Sequence, residues 1–194
     1  METRCKIIVL GRTGVGKTSL LTFLRKQTFE CDEARTMGIE QFQLRKEVLG
    51  QVVVTDIWDT CGQERFRSIG KNYYKGSYGA LLVFDLTDRE SLAALPRYLE
   101  DFKQLCDVQG AICVLIGTKV DLPEEREVTF KDATAFAQTY GIRYFETSAK
   151  TGQNLEAALE PILLAVLTAS SVKSLSVVLS PQLPKTQSRS KCKC

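Results

Sequence analysis

Histidine is absent from this 194-residue chain. Its absence excludes every nucleophilic mechanism that relies on a Ser-His or Cys-His pair. A zinc site would have to be built from cysteine and carboxylate alone. The seven cysteines, Cys5, Cys31, Cys61, Cys106, Cys113, Cys192 and Cys194, contain no C-x-x-C pair, so their spacing offers no such site. No apolar run approaches the roughly 18 residues of a membrane-crossing helix. The polar start Met1–Lys6 leads straight into an apolar strand, which is unlike a secretory signal, and the cytosol with reduced thiols is the expected compartment. Acid is missing from residues 170–194. Lys173, Lys185, Arg189, Lys191 and Lys193 give that segment +5, which leaves −2 on the rest of a chain of net charge +3. A basic tail on a slightly acidic body points to an anionic membrane surface. It has no aromatic residue on which a base could stack, so nucleic acid is not an expected partner.

What remains is the composition of a globular protein, 44% apolar and 25% charged. It suits one domain, residues 1–169, and a Ser-, Lys- and Pro-rich tail, 170–194. Continuous apolar runs at 6–10, 80–85 and 111–116 read as strands buried on both faces. Residues 39–48 and 52–58 read as two further strands around a turn at Gly50-Gln51, and 142–145 as a short last one. Helical patterns fall at 17–26, 91–106, 130–140 and 155–167, the last with a proline, Pro161, inside it. Such alternation predicts an α/β fold, a mostly parallel sheet with helices on both faces. Ligands of such folds bind outside the carboxyl ends of the strands.

The motifs fall at those ends. Gly11-Arg12-Thr13-Gly14-Val15-Gly16-Lys17-Thr18 matches G-x-x-x-x-G-K-[ST] between a strand and a helix. The glycines let backbone N–H groups close around phosphate oxygens, and the helix N-terminus favours anions. Lys17 is positioned for β- and γ-phosphates and the Thr18 hydroxyl for Mg²⁺. The loop implies a nucleoside triphosphate and leaves kinase, ATPase and GTPase chemistry open. After the third strand comes Ile57-Trp58-Asp59-Thr60-Cys61-Gly62-Gln63-Glu64. Asp59 is a candidate Mg²⁺ carboxylate. Gly62 offers a bare N–H to a γ-phosphate. Gln63, with a donor and an acceptor, suits a water that needs orientation more than deprotonation.

Trp58-Asp59-Thr60-Cys61-Gly62-Gln63-Glu64-Arg65-Phe66, followed by Tyr73-Tyr74, resembles the second switch of Rab proteins, members of the Ras superfamily. The resemblance covers residues 6–168 and implies a P-loop small G domain with a six-stranded, mostly parallel sheet. It implies that Ser19 joins the phosphate loop and that Thr36 is the first-switch threonine that reaches Mg²⁺. It makes Phe29 the aromatic that covers guanine. Thr118-Lys119-Val120-Asp121 and Ser148-Ala149-Lys150 resemble the family's guanine motifs. Asp121 would accept from guanine N1–H and the 2-amino group, which adenine lacks. Lys119 would lie along the ring, and the Ala149 N–H would meet the carbonyl. The terminal Cys192-Lys193-Cys194 resembles a double prenylation site, and two lipids hold a membrane where one is marginal.

The implied function is a GTP/GDP-cycling switch in membrane trafficking. Gln63, Lys17 and Gly62 would serve catalysis, and GTP and Mg²⁺ would be substrate and cofactor. The implied partners are an exchange factor, a GTPase-activating protein, a GDP-dissociation inhibitor, a prenylation escort protein and effectors. A monomer is expected on the cytoplasmic face of intracellular membranes, with a cytosolic inhibitor-bound pool. Four positions depart from the family pattern. Cys61 stands for alanine, which predicts slower hydrolysis. Thr118 stands for the asparagine that braces the P-loop. Gln41 stands for an effector-reading phenylalanine, with Phe42 pointing to the other strand face. Thr13 adds a side chain where an arginine finger would sit. These departures keep a second reading open, a GTP-binding module with suppressed hydrolysis. A P-loop kinase is disfavoured by the Asp59–Glu64 segment and the guanine motifs.

Overall fold

The structure, a computed structural model, describes residues 2–29, 39–60 and 71–178, and among them the side chains of Thr60, Lys71 and 170–178 are left out. The central strands form where the sequence is continuously apolar. β1 (Glu2–Leu10) is buried from Ile7 to Leu10 and β4 (Ser77–Asp85) almost throughout. β5 (Ile112–Thr118) and β6 (Arg143–Glu146) follow on one side of β4. β2 (Ile39–Val48) and β3 (Gln51–Thr60) lie on the other side of β1. The six-stranded order is β2-β3-β1-β4-β5-β6. Only β2 and β3 are antiparallel, and every other neighbouring pair is parallel. The chain leaves β1 toward β3 and returns to β4 on its opposite side, which makes the end of β1 a topological switch point.

Helices cover both faces and divide the core in two. α1 (Lys17–Lys26) and α5 (Leu155–Val178) pack Leu20, Leu21, Leu24, Leu159 and Ile162 against Ile7, Val9 and Ile57. α3 (Leu95–Leu105) and α4 (Phe130–Tyr140) pack Leu95, Leu99, Phe102 and Ala133 against Ile8, Leu82 and Phe84. Each fully buried Leu, Ile or Phe contributes about 1.5–3 kcal/mol relative to exposure, so both layers hold the sheet that positions the loops.

Three local features differ from the sequence reading. The 91–106 helix is two helices, α2 (Arg89–Ala93) and α3. Asp88 starts α2 two residues early by accepting from the N–H groups of Glu90 and Ser91. Pro96 has no N–H for the preceding turn, so it begins a new helix. The β2–β3 turn residues are Leu49 and Gly50, with φ of +52° and +73°, one position earlier than expected. Both are left-handed, as a two-residue hairpin turn with strand-matched twist requires. α5 runs through Pro161 to Val178, eleven residues past the expected end. No glycine and no further proline intervenes before Pro181, so nothing local stops it. Among the described residues no helix is long and apolar enough to cross a membrane.

Candidate functional site

The phosphate loop leaves β1 at Gly11. A Cβ there would lie 2.1 Å from the Val83 carbonyl oxygen of β4, so only glycine admits the loop this close to the sheet. Gly16 caps α1 in the left-handed conformation (φ +90°). Lys17 is buried, and its Nζ donates to the carbonyls of Gly11 (3.1 Å) and Arg12 (2.8 Å). The ammonium therefore sits across the loop mouth, over the space that the loop N–H groups surround. Thr13 and Gly14 at the tip are exposed, Val15 is buried beneath them, and Ser19 is half-buried in the first turn of α1. Arg12 turns outward to Asp88 at 3.6 Å.

The end of β3 meets this loop. The Thr18 hydroxyl donates to Asp59 Oδ2 at 2.5 Å, and Asp59 is fully buried. A hydroxyl and a carboxylate oxygen side by side at the phosphate loop are the hard donors that Mg²⁺ takes, so the residues present fit that ion. Thr36, the third expected donor, lies outside the described residues, as do Cys61, Gly62, Gln63, Cys192 and Cys194.

Thr118 ends β5 with its side chain buried. Its Oγ1 is 2.7 Å from the Val15 carbonyl and 3.0 Å from that of Phe84. The hydroxyl has one proton, and the shorter contact assigns it to Val15. Threonine thus braces the phosphate loop against the base loops, the role expected of asparagine. Lys119 follows in the left-handed region (φ +64°), which turns its side chain back to Asp85, Nζ to Oδ2 2.5 Å. Asp85 ends the buried run of β4 and also accepts from the Thr87 N–H and hydroxyl. Sequence reasoning missed Asp85. The available signal was a single acid closing an otherwise apolar strand. Ser148 is buried, and its hydroxyl donates to Asp121 at 2.5 Å while accepting from the Lys150 and Thr151 N–H groups. The Val120 N–H donates to Thr147 (3.2 Å), so the two loops bearing Asp121 and Ala149 are bonded to each other. Phe29, beyond α1, is partly exposed.

The sequence profile described as the Ras family matches residues 6–168. The chain belongs to the Ras family of small GTPases. The chain is 44% identical over 153 residues to Ras-related protein Rab-4A of Homo sapiens and of Rattus norvegicus, a span that covers 79% of this chain and 70% of the relative. It is equally identical to Rab-4B of Homo sapiens, covering 71% of that protein. Within the family it is therefore a Rab-type GTPase. A GTP-binding module with suppressed hydrolysis gains no support from these relatives.

The register explains the Gln41 departure. Gln41 pairs opposite Trp58, and Phe42, one place along, is buried in the α1/α5 layer, with Arg25 over its ring at 5.2 Å. On the other face Trp58, Tyr73 and Tyr74 form edge-to-face contacts at 6.2 and 5.4 Å. Lys6 underlies them with its Nζ 4.1 Å from the Trp58 ring centroid and 2.5 Å from the Tyr73 carbonyl. Burial of this ammonium lowers its pKa.

Proposed function

We propose that the chain is a GTP/GDP-cycling switch of intracellular membrane trafficking. The observation that carries the proposal is the convergence, at one end of the sheet, of the phosphate loop, the Thr18–Asp59 pair and the Asp121–Ser148 base loops. Lys17 and the loop N–H groups bear the charge of the phosphates. Thr18, Thr36 and Asp59 would hold Mg²⁺, which when bound neutralises charge shared by the β- and γ-phosphate oxygens. Gln63 orients the attacking water, and the Gly62 N–H meets the γ-phosphate. Asp121 selects guanine, the Ala149 N–H meets its carbonyl, Lys119 lies along the ring and Phe29 covers it. Contacts to the γ-phosphate order segments around 35–40 and 59–74, and hydrolysis releases them.

No arginine among the described residues reaches the phosphate loop from a position suited to a finger in cis, since Arg12 turns to Asp88. A GTPase-activating protein supplies that arginine and about 10³–10⁵ in rate. An exchange factor, effectors, a GDP-dissociation inhibitor and a prenylation escort protein complete the cycle. Prenyl groups on Cys192 and Cys194 hold the monomer at the cytoplasmic face of membranes, with an inhibitor-bound cytosolic pool.

The first test is the nucleotide released when purified protein is denatured. GDP is expected, and an adenine nucleotide would sink the proposal. Gln63→Leu should leave GTP binding intact and slow turnover more than about tenfold. Wild-type turnover in that variant would remove Gln63 from its role.

A further inference from the structure

At the end of the sheet opposite the nucleotide site, packing between α3, β5, β6 and α5 is incomplete. A cavity of about 690 Å³ opens there, inside the roughly 300–1,000 Å³ range of small-molecule sites. Ile112 and Cys113 form its floor, and Phe102, Pro161 and Leu164 form part of its wall. β6 begins opposite Val114, so Ile112 and Cys113 lie on an open edge of β5 and are half-buried, whereas the next five residues of the strand are buried. Leu164 and Ala165 of α5 are likewise half-buried. The notch beside this edge leaves a small apolar surface open between α3 and α5.

The charges at the rim are of one sign. Lys103 and Arg143 line the cavity and no carboxylate does. Neither cation has an ion-pair partner among the described residues. The Lys103 ammonium rests 5.7 Å from the centroid of Tyr140, another lining residue. The other polar liners are already engaged: Cys106 Sγ lies 3.2 Å from the Ser77 carbonyl, and the Thr168 hydroxyl donates to the Ala165 carbonyl at 2.8 Å. Burial pushes the Cys113 thiol up to about 12, so at neutral pH it is a protonated, apolar part of the floor and not a nucleophile.

We propose that this cavity binds a single-chain amphiphile with an anionic head, either a carboxylate or a phosphate monoester. The hydrocarbon lies against Ile112, Pro161 and Leu164, and the head between Lys103 and Arg143. A neutral guest gains nothing from the two exposed cations, whereas an anionic head is attracted by both. The chain's own residues 170–194, with five lysines and arginines and no acid, carry the wrong sign for the rim. The site is independent of the nucleotide: Thr118 lies at the far end of β5, about 20 Å away at 3.3 Å per residue.

The test uses the full chain loaded with GDP and titrates dodecanoate, dodecyl phosphate and dodecanol by calorimetry, each below its micelle concentration. Saturable one-to-one binding of an anion is expected, with dodecanol weaker by about tenfold or more. Binding of dodecyl phosphate alone assigns a lysophosphate ligand, and binding of dodecanoate as well assigns fatty carboxylates. Lys103→Gln and Arg143→Gln, both at exposed positions, should each weaken binding about tenfold. Ala165→Leu should fill the cavity and abolish binding while GDP stays bound. If Ala165→Leu fails to fold, the two rim variants still decide. The proposal is overturned if neither anion binds saturably, if dodecanol binds as well as the anions, or if the rim variants bind like wild type.

Discussion

Thr118→Val isolates the contact that joins the phosphate loop to the base loops. Valine keeps the shape and removes the hydroxyl that donates to Val15 at 2.7 Å from a buried position. A buried acceptor that loses its donor costs about 1–3 kcal/mol. That cost falls mainly on the nucleotide-bound state. With the site filled, the loop N–H groups are committed to phosphate and the Val15 carbonyl is held in place. With the site empty, the loop is free to turn that carbonyl toward water. At about 1.4 kcal/mol per tenfold, GDP release should accelerate by roughly 5- to 150-fold. Thr118→Ser keeps the hydroxyl and should release GDP close to the wild-type rate. Both rates are read by displacement of a fluorescent GDP analogue. If Thr118→Val melts earlier but releases GDP at the wild-type rate, the hydroxyl serves folding alone and the brace is refuted.

The other predictions follow from neighbouring contacts. Asp85→Asn removes the counter-charge 2.5 Å from Lys119. Because Lys119 is partly exposed, water offsets much of the loss, and GDP affinity should fall by only about tenfold by equilibrium titration. Gly11→Ala places a Cβ 2.1 Å from the Val83 carbonyl, so the loop must move, and nucleotide should be lost from the purified protein. Arg126 holds Glu146 by two contacts of 2.9 and 2.7 Å and lowers its pKa below the ordinary 4.5. A carboxyl depressed in the folded state adds stability above its unfolded pKa and loses it as pH falls through the folded one. Urea midpoints of the wild type should therefore drop below about pH 4.5 more steeply than those of Glu146→Gln, and parallel curves would contradict the assignment.

The site was legible where chemistry forces spacing. A loop that wraps phosphate must leave a buried strand and enter a helix, so the motif alone places Gly11–Thr18 between β1 and α1. The same holds for Asp59, Thr118 and Ser148, each of which closes or follows an apolar run. Features set by one residue's backbone were harder to read. Pro96 lies inside an amphipathic pattern that continues on both sides of it, and the period alone conceals the break between α2 and α3. Leu49 is a poor candidate for a left-handed turn. It is held there because the Val48–Gln51 pair leaves two residues for the reversal. Asp85 was marked only by an acid closing an apolar strand, because its role depends on Lys119, distant in sequence, turning back on a positive φ. The cavity beneath β5 has no motif at all: its walls are ordinary apolar residues, and only their incomplete packing distinguishes it.

The antiparallel register of β2 and β3 gives the Gln41 departure its consequence. Side chains alternate faces along β2, so an aromatic residue at 42 cannot replace one at 41 without a one-residue slip. Such a slip would move every core-facing residue of the strand to solvent. Phe42 is committed to the α1/α5 layer. The face carrying Trp58, Tyr73 and Tyr74 is therefore completed by a polar, exposed glutamine. A partner that reads this face meets an amide donor and acceptor where its counterpart in the family pattern meets a ring. An apolar pocket shaped for that ring would have to take in an unpaired amide, at about 1–3 kcal/mol. That is about five- to 150-fold in affinity for a partner with such a pocket. The discrimination comes from one side chain on a strand whose register leaves it no alternative neighbour.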